Sequence, residues 1–101
     1  MALIYRNVVG PIKDASGNAV SSGAVRAKLS APVTDGTDFV TTEEVEAVVS
    51  SGAFTLPLGA PGTYTFSVAD SFGTVIDTFS AYLASSPTSD ITLAELHDSA
   101  L

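Results

Sequence analysis

Cysteine and tryptophan are absent from this 101-residue chain, and its longest apolar runs extend over only a few residues. Without cysteine, the chain can form neither a disulfide framework nor a thiolate site. Apolar runs this short cannot cross a membrane as a helix. Residues 1–10 also lack the basic start and long apolar segment of a signal peptide. The length is typical of one domain, and we expect no membrane partner.

Positive charge is missing after residue 28. Residues 29–101 carry ten carboxylates, whereas residues 1–28 hold one acid and all four cations. The net charge of −7 argues against nucleic acid as a partner, because a surface that follows phosphates needs clustered lysine and arginine. The asymmetry allows contact between copies through opposite patches, although an acidic surface also serves solubility. The four cations are Arg6, Lys13, Arg26 and Lys28.

Apolar residues alternate with polar ones in residues 24–31, 53–58 and 63–69. This period of two is typical of strands that bury one face. Turn-forming residues separate the runs at the spacing of an all-β sandwich. The sequence therefore predicts an all-β chain, an antiparallel β-sandwich of about seven strands spanning residues 1–84. The strands are expected near 3–12, 23–33, 37–42, 44–49, 53–58, 63–69 and 75–83.

Glycine and proline make local predictions within this pattern. Asp35-Gly36 indicates a hairpin turn. Pro57 interrupts a strand-like run, and because proline cannot donate to a ladder we expect it at a sheet edge or a bulge. Before the run at 63–69, Pro61 fixes one turn torsion and Gly62 is expected to adopt a torsion closed to other residues. The hydroxyl of Tyr64, buried by this turn, should then find a backbone partner.

Residues 85–90 have the composition of a loop, and the sequence predicts that residues 85–101 form a loop followed by a tail. Thr92 and Glu95 have the spacing of a capping box, which favours a short helix beginning at Thr92. A final short strand around Ile91 is the alternative. Leucines in this tail need an apolar surface, either on the parent domain or on a neighbouring copy. They are Leu93, Leu96 and Leu101.

No grouping of residues in the sequence has the spacing of a reactive site. His97 is the only histidine, and the adjacent Asp98 and Ser99 do not face it on a short helix. Asp35 and Asp38 flank a turn where calcium could bind, but the spacing of an EF-hand loop is missing. We therefore expect a protein that is not an enzyme and that carries no metal and no cofactor.

Residues 3–83 resemble the carboxypeptidase-regulatory-like, or transthyretin-like, β-sandwich repeat. The resemblance lies in "IKDASGNAVSSGAVRAKLS" followed by "SGAFTLPLGAPGTYTFSVAD". It implies a transthyretin-like or immunoglobulin-like sandwich and no catalytic residue at the matched positions. Those positions are Asp14, Gly17, Gly23 to Val25, Gly52, Phe54, Leu56, Pro61, Gly62 and Tyr64.

Together with "DSFGTVIDTFSAYLASSPTSDITLAEL", the sequence is also similar to small β-sandwich modules of tailed-bacteriophage virions. Such modules occur as capsid decoration proteins and as N-terminal domains of head or tail fibres. Because no shaft sequence follows residue 101 in this chain, the resemblance favours a decoration or cement protein over a fibre. It implies a location in the virion and contacts with capsid or other virion proteins, including further copies of the chain.

A neck, tail or fibre-associated adhesion module that binds host surface glycan is the alternative function. A glycan site should show exposed aromatic rings, for which Phe39, Phe72 and Tyr82 are the candidates. In either case the sequence predicts contact surfaces rather than reactive groups. The candidate contact residues are Leu3, Tyr5, Arg6, Arg26, Lys28, Tyr82, Leu93 and Leu96.

Overall fold

The computed structural model describes residues 3–100 and consists mainly of β-strands, which confirms the all-β prediction. Within that range it contains nine strands and one short helix at the C-terminal end. The elements are β1 (Ile4–Val9), β2 (Ser22–Leu29), β3 (Val33–Asp35), β4 (Asp38–Val40), β5 (Val45–Ser50), β6 (Thr55–Ala60), β7 (Gly62–Ala69), β8 (Val75–Leu83), β9 (Ile91–Thr92) and α1 (Leu93–Ser99).

Three sheets contain these strands. One has the order β6-β1-β9, the second has the order β5-β2-β7-β8, and β3 pairs with β4 in a separate hairpin. Every pairing is antiparallel except the short parallel ladder between β1 and β9. Gly36 lies in the β3–β4 turn with a φ of 63°, as the Asp-Gly signal predicts. Pro57 lies in β6, which is an edge strand, so its missing N–H removes no central ladder bond.

Nine strands exceed the expected number of about seven, and two local features account for the difference. The run expected at 23–33 is divided between β2 and β3 by residues 30–32. Pro32 lies in this break and has no N–H to continue a ladder. The second additional strand is β9, where Ile91–Thr92 pairs with Val8 and Val9 of β1.

Alternate residues of the two larger sheets form one hydrophobic core. On β2 and β7 the buried set follows the predicted alternation, and the ring of Phe66 stacks on Phe79 with centroids 5.4 Å apart. Burying a side chain of this size contributes about 1.5–3 kcal/mol to stability. The buried residues of these two strands include Val25, Ala27, Leu29, Tyr64, Phe66 and Val68.

The chain passes from one sheet to the other at Pro61, the single residue between β6 and β7. Immediately afterwards the buried Tyr64 hydroxyl donates a hydrogen bond of 2.7 Å to the carbonyl oxygen of Gly59. This confirms the expected backbone partner. The bond joins the beginning of β7 to the end of β6. Burial raises the pKa of the Tyr64 hydroxyl.

Gly62 does not adopt the left-handed torsion expected of it, because its φ is not among the positive values in the chain. The limited space around Gly62 accounts for the glycine instead. A Cβ on Gly62 would lie 3.1 Å from Leu29 Cδ1 and 3.4 Å from the ring of Tyr64. A side chain at this corner would therefore require the Leu29 methyl group to move by a few tenths of an ångström.

Two further turns share one design, which begins with Asp14 and Asp70. In each turn the aspartate Oδ1 accepts hydrogen bonds from the backbone N–H groups two and four residues later, at 2.9 and 3.0 Å. The glycine at the fourth position, Gly17 or Gly73, has a φ of 87° or 83°. The aspartate side chain thus accepts hydrogen bonds that backbone carbonyls would otherwise accept in a tight turn. These bonds hold each turn in one conformation.

Both alternatives for the C-terminal tail occur, one directly after the other. Ile91 and Thr92 form β9, and Thr92 is also the N-cap of α1. Its hydroxyl accepts a hydrogen bond from the N–H of Glu95 at 3.1 Å, and the Glu95 carboxylate accepts one from the N–H of Thr92. This reciprocal capping stabilises a helix too short to form alone. Leu93 and Leu96 are buried in the core.

Replacing Tyr64 by Phe should lower the free energy of unfolding by about 1 kcal/mol, because the variant loses one buried hydrogen bond and leaves the Gly59 carbonyl without its donor. The raised pKa of Tyr64 means that the wild-type bond contributes at neutral pH and is lost as the pH rises through that pKa. Urea unfolding at neutral and alkaline pH measures both effects.

The matched control is Tyr82→Phe, since the Tyr82 ring is largely exposed. This change should alter stability by less than about 0.5 kcal/mol. Equal losses in the two variants would contradict a stabilising role for the corner hydrogen bond.

Candidate interaction surfaces

The structure divides the candidate contact residues into an exposed group and an interior group. Arg6, Leu93 and Leu96 lie inside the domain, with Arg6 only 3% exposed. The tail leucines therefore pack on the parent core, not on a neighbouring copy, and Leu101 lies outside the described residues. The remaining candidates are partly or largely exposed: Leu3, Tyr5, Arg26, Lys28 and Tyr82.

Arg6 holds the loop that precedes β9. Its Nε donates to the carbonyl oxygen of Ser89 at 3.0 Å, and its Nη1 donates to that of Ala84 at 2.7 Å. Between residues 3 and 100, no carboxylate lies within ion-pair distance of Arg6. A buried charge without partners would be costly, so these two carbonyls determine where the loop can lie. The expected surface cation is thus an internal clamp.

Leu3 and Tyr5 both contact Asp35 at the β3–β4 hairpin. The N–H of Leu3 donates to Oδ1 at 2.8 Å, and the Tyr5 hydroxyl donates to Oδ2 at 3.3 Å. Both oxygens of Asp35 therefore already accept a hydrogen bond from β1 or the residue before it. In the described part of the chain, no three His, Asp or Glu side chains are grouped as metal ligands would be.

Arg26 and Lys28 project from the exposed face of β2 but differ in their neighbours. Arg26 forms an ion pair with Glu46 on β5, with Nε and Oε2 2.8 Å apart. Its hydrogen bond to Glu46 raises the pKa of the Arg26 guanidinium. Lys28 is exposed and has no carboxylate within ion-pair distance in residues 3–100. Lys28 is consequently the better placed of the two to meet a partner's acidic group.

The turn between β7 and β8 presents an apolar surface that the sequence indicated only in part. Phe72 is 91% exposed, and Val75 and Ile76 are about half exposed; we refer to these three residues as the apolar tip. The Asp70 carboxylate accepts a hydrogen bond from the N–H of Phe72 at 2.9 Å, so the ring projects from a turn whose backbone is fixed. A register shift between Val68 and Ala69 accompanies the start of β8.

Strand β8 is the last strand of its sheet, and its first four residues continue the exposed surface of the apolar tip. Residues 75–78 are all exposed, whereas α1 packs against the strand farther along, where His97 meets Phe79 with ring centroids 5.0 Å apart. Asp77 is the only charged residue of β8, and the strand contains no proline. Edge strands are usually protected by charged residues, prolines or bulges; this segment has Asp77 and the register shift but no proline, so its protection is partial.

His97 lies at the surface beside Phe79 and Asp98. Its ring is half exposed and makes an edge contact with Phe79, and Nδ1 lies 4.0 Å from Asp98 Oδ1. The hydroxyl of Ser99 donates to the carbonyl oxygen of Leu96 at 2.8 Å. The histidine and this serine are therefore engaged by different neighbours.

A cleft of about 520 Å³ lies where the end of β8, the loop 84–90, β9 and α1 meet. Arg6 and Tyr82 line it, together with the carboxylates of Asp90 and Glu95. Tyr82 is one of three aromatic residues considered for glycan binding, and all three are exposed, including Phe39 and Phe72. Of these three, Tyr82 lines this cleft. The sequence identified the ring but not the cleft, which depends on how the loop is folded.

Comparisons with protein-family models, with curated proteins and with solved structures found no match to this chain. The resemblance to β-sandwich repeats thus depends on the motifs of the chain itself. Among residues 3–100, no helix has the length and apolar character needed to cross a membrane.

Replacing Arg6 by Met should lower the free energy of unfolding by about 2–3 kcal/mol, because two charge-assisted hydrogen bonds to loop carbonyls are lost. Amide hydrogen exchange should also accelerate in residues 84–92. Arg26→Met is the control, and its partly exposed ion pair predicts a loss below about 1 kcal/mol. Similar losses in both variants, with unchanged exchange in the loop, would contradict the clamp.

Proposed function

We propose that this chain is a non-enzymatic structural protein of a bacteriophage virion, a small capsid decoration or cement protein. We further propose that its sheets form a β-sandwich of the transthyretin-like type. The quoted motifs support both proposals, and the single core to which both larger sheets contribute supports the second. Such a protein binds neighbours through its surface and stabilises the assembled shell by mass action.

The apolar tip is the observation that carries this proposal. An aromatic ring that is 91% exposed costs solubility, and its natural use is to fill an apolar pocket of a partner. The Asp70 turn fixes the backbone at Phe72, so little conformational entropy is lost when the ring docks. Val75 and Ile76 extend the apolar contact along the beginning of β8.

The exposed edge at residues 75–78 adds backbone groups to this surface. A strand from a shell protein, or from another copy of the chain, can pair with it and fix the orientation of the module. Lys28 offers an exposed positive charge on a protein whose net charge is −7. A partner that combines an apolar pocket, an extended segment and an acidic group would be complementary to these features.

Replacing Phe72 by Ala should weaken binding to virions lacking the protein by about tenfold or more, because an anchoring aromatic side chain contributes on the order of 2 kcal/mol to an interface. The fold should be retained, since Phe72 makes no core contact. Co-sedimentation of purified protein with the particles measures binding, and quantitative mass spectrometry gives the copy number in virions.

Phe39→Ala is the control, because Phe39 is also exposed but lies on β4. It should leave particle binding unchanged. Failure of the wild-type protein to bind its own virions would contradict the proposed function. Binding that is unaffected by Phe72→Ala would contradict the role of the apolar tip.

A further inference from the structure

We propose that the cleft beside Tyr82 is a binding site for a neutral saccharide. The cleft lies at the opposite end of β8 from the apolar tip, since Tyr82 is next to the last residue of the strand. Its volume of about 520 Å³ is within the range of small-molecule sites in proteins, about 300–1,000 Å³. The site is independent of the proposed contact with the shell.

Arg6 supplies hydrogen-bond donors at the cleft. A guanidinium carries five N–H groups, and the carbonyls of Ala84 and Ser89 accept from two of its nitrogens. The side chain lines the cleft although it is 97% buried within the domain, and no buried donor in residues 3–100 lacks a partner. Among residues 3–100, no carboxylate lies within ion-pair distance of Arg6, and its Nη2 makes no hydrogen bond.

Asp90 and Glu95 supply acceptors in the same cleft. Glu95 uses Oε1 for the capping box, where Thr92 donates through its N–H and its hydroxyl at 3.4 and 3.1 Å. The capping fixes the orientation of this carboxylate and leaves Oε2 without a hydrogen bond among the residues described. Carboxylates accept short, strong hydrogen bonds from the hydroxyl groups of a bound polyol.

Tyr82 adds an apolar face to these polar groups. Its side chain is 59% exposed and projects from the face of β8 opposite to the buried Ala81 and Leu83. A tyrosine ring can pack against the C–H groups of a sugar ring while its hydroxyl remains hydrated. The cleft thus offers one flat apolar surface together with donors and acceptors.

The combination selects among ligand classes. Asp90 and Glu95 disfavour an anion, and a wholly apolar ligand would leave these two carboxylates without water. A polyhydroxylated ring satisfies every constraint, because its hydroxyls both donate and accept and its C–H face covers the tyrosine. Ser86 and Ser99 also belong to the lining of the cleft.

Titration of the full chain with neutral sugars tests the site. The probes are glucose, galactose, mannose, rhamnose and N-acetylglucosamine, followed by neutral bacterial oligosaccharides built from them. Chemical shifts of backbone amides should change for at least one probe, with the largest changes in residues 82–96. Tyr82→Ala and Asp90→Asn should each weaken that binding by about tenfold, the loss expected for one stacking or charged hydrogen-bond contact.

Phe72→Ala is the matched control, because it removes an exposed aromatic ring at the other end of β8. It should leave saccharide binding unchanged, whereas Tyr82→Ala should leave particle binding unchanged. Absence of shift changes with every probe would overturn the proposal. So would shift changes centred on Phe72 or Phe39, or binding that survives both Tyr82→Ala and Asp90→Asn.

Discussion

The burial of one apolar face on each of the two central strands is the constraint on which the rest of the structure depends. Strands β2 and β7 pair with one another and expose alternate side chains to opposite sides. Their apolar side must be covered, and residues of the other larger sheet and of α1 belong to the same buried cluster. The corner at Pro61 and the clamp at Arg6 both act at places where the chain has to turn to complete this core.

Covering the core leaves unequal surfaces, and these surfaces determine what the protein can do. The sheet face with Arg26 and Glu46 contains an ion pair between these two residues. In contrast, the β7–β8 turn displays three apolar side chains on a backbone fixed by Asp70. Rigidity matters here because an exposed ring on a mobile loop would lose conformational entropy on binding. A module with this distribution of groups is suited to being held by a partner.

The sequence predicted the fold well where local chemistry decides the conformation. The alternation in β2, β6 and β7, the turn at Gly36 and the capping of α1 by Thr92 are all local signals. Space at Gly62 and the register shift near Ala69 depend on neighbours distant in sequence, so no local pattern identified them. Arg6 is an intermediate case, because its parity with the buried Val8 places it on the inward face of β1. The alternation thus predicted a buried Arg6, whereas arginine is usually exposed in proteins.

Arg6 links the stability of the domain to the proposed saccharide site. The same guanidinium that positions the loop at Ala84 and Ser89 lines the cleft that this loop encloses. A change at Arg6 would therefore alter folding and binding together and could not separate them. Tyr82 and Asp90 are exposed at the cleft and make no hydrogen bond to the core, so the chemistry of the site can be altered there while the clamp persists. Because the clamp fixes the loop before any ligand arrives, the cleft is preorganised by the same interaction that closes the domain.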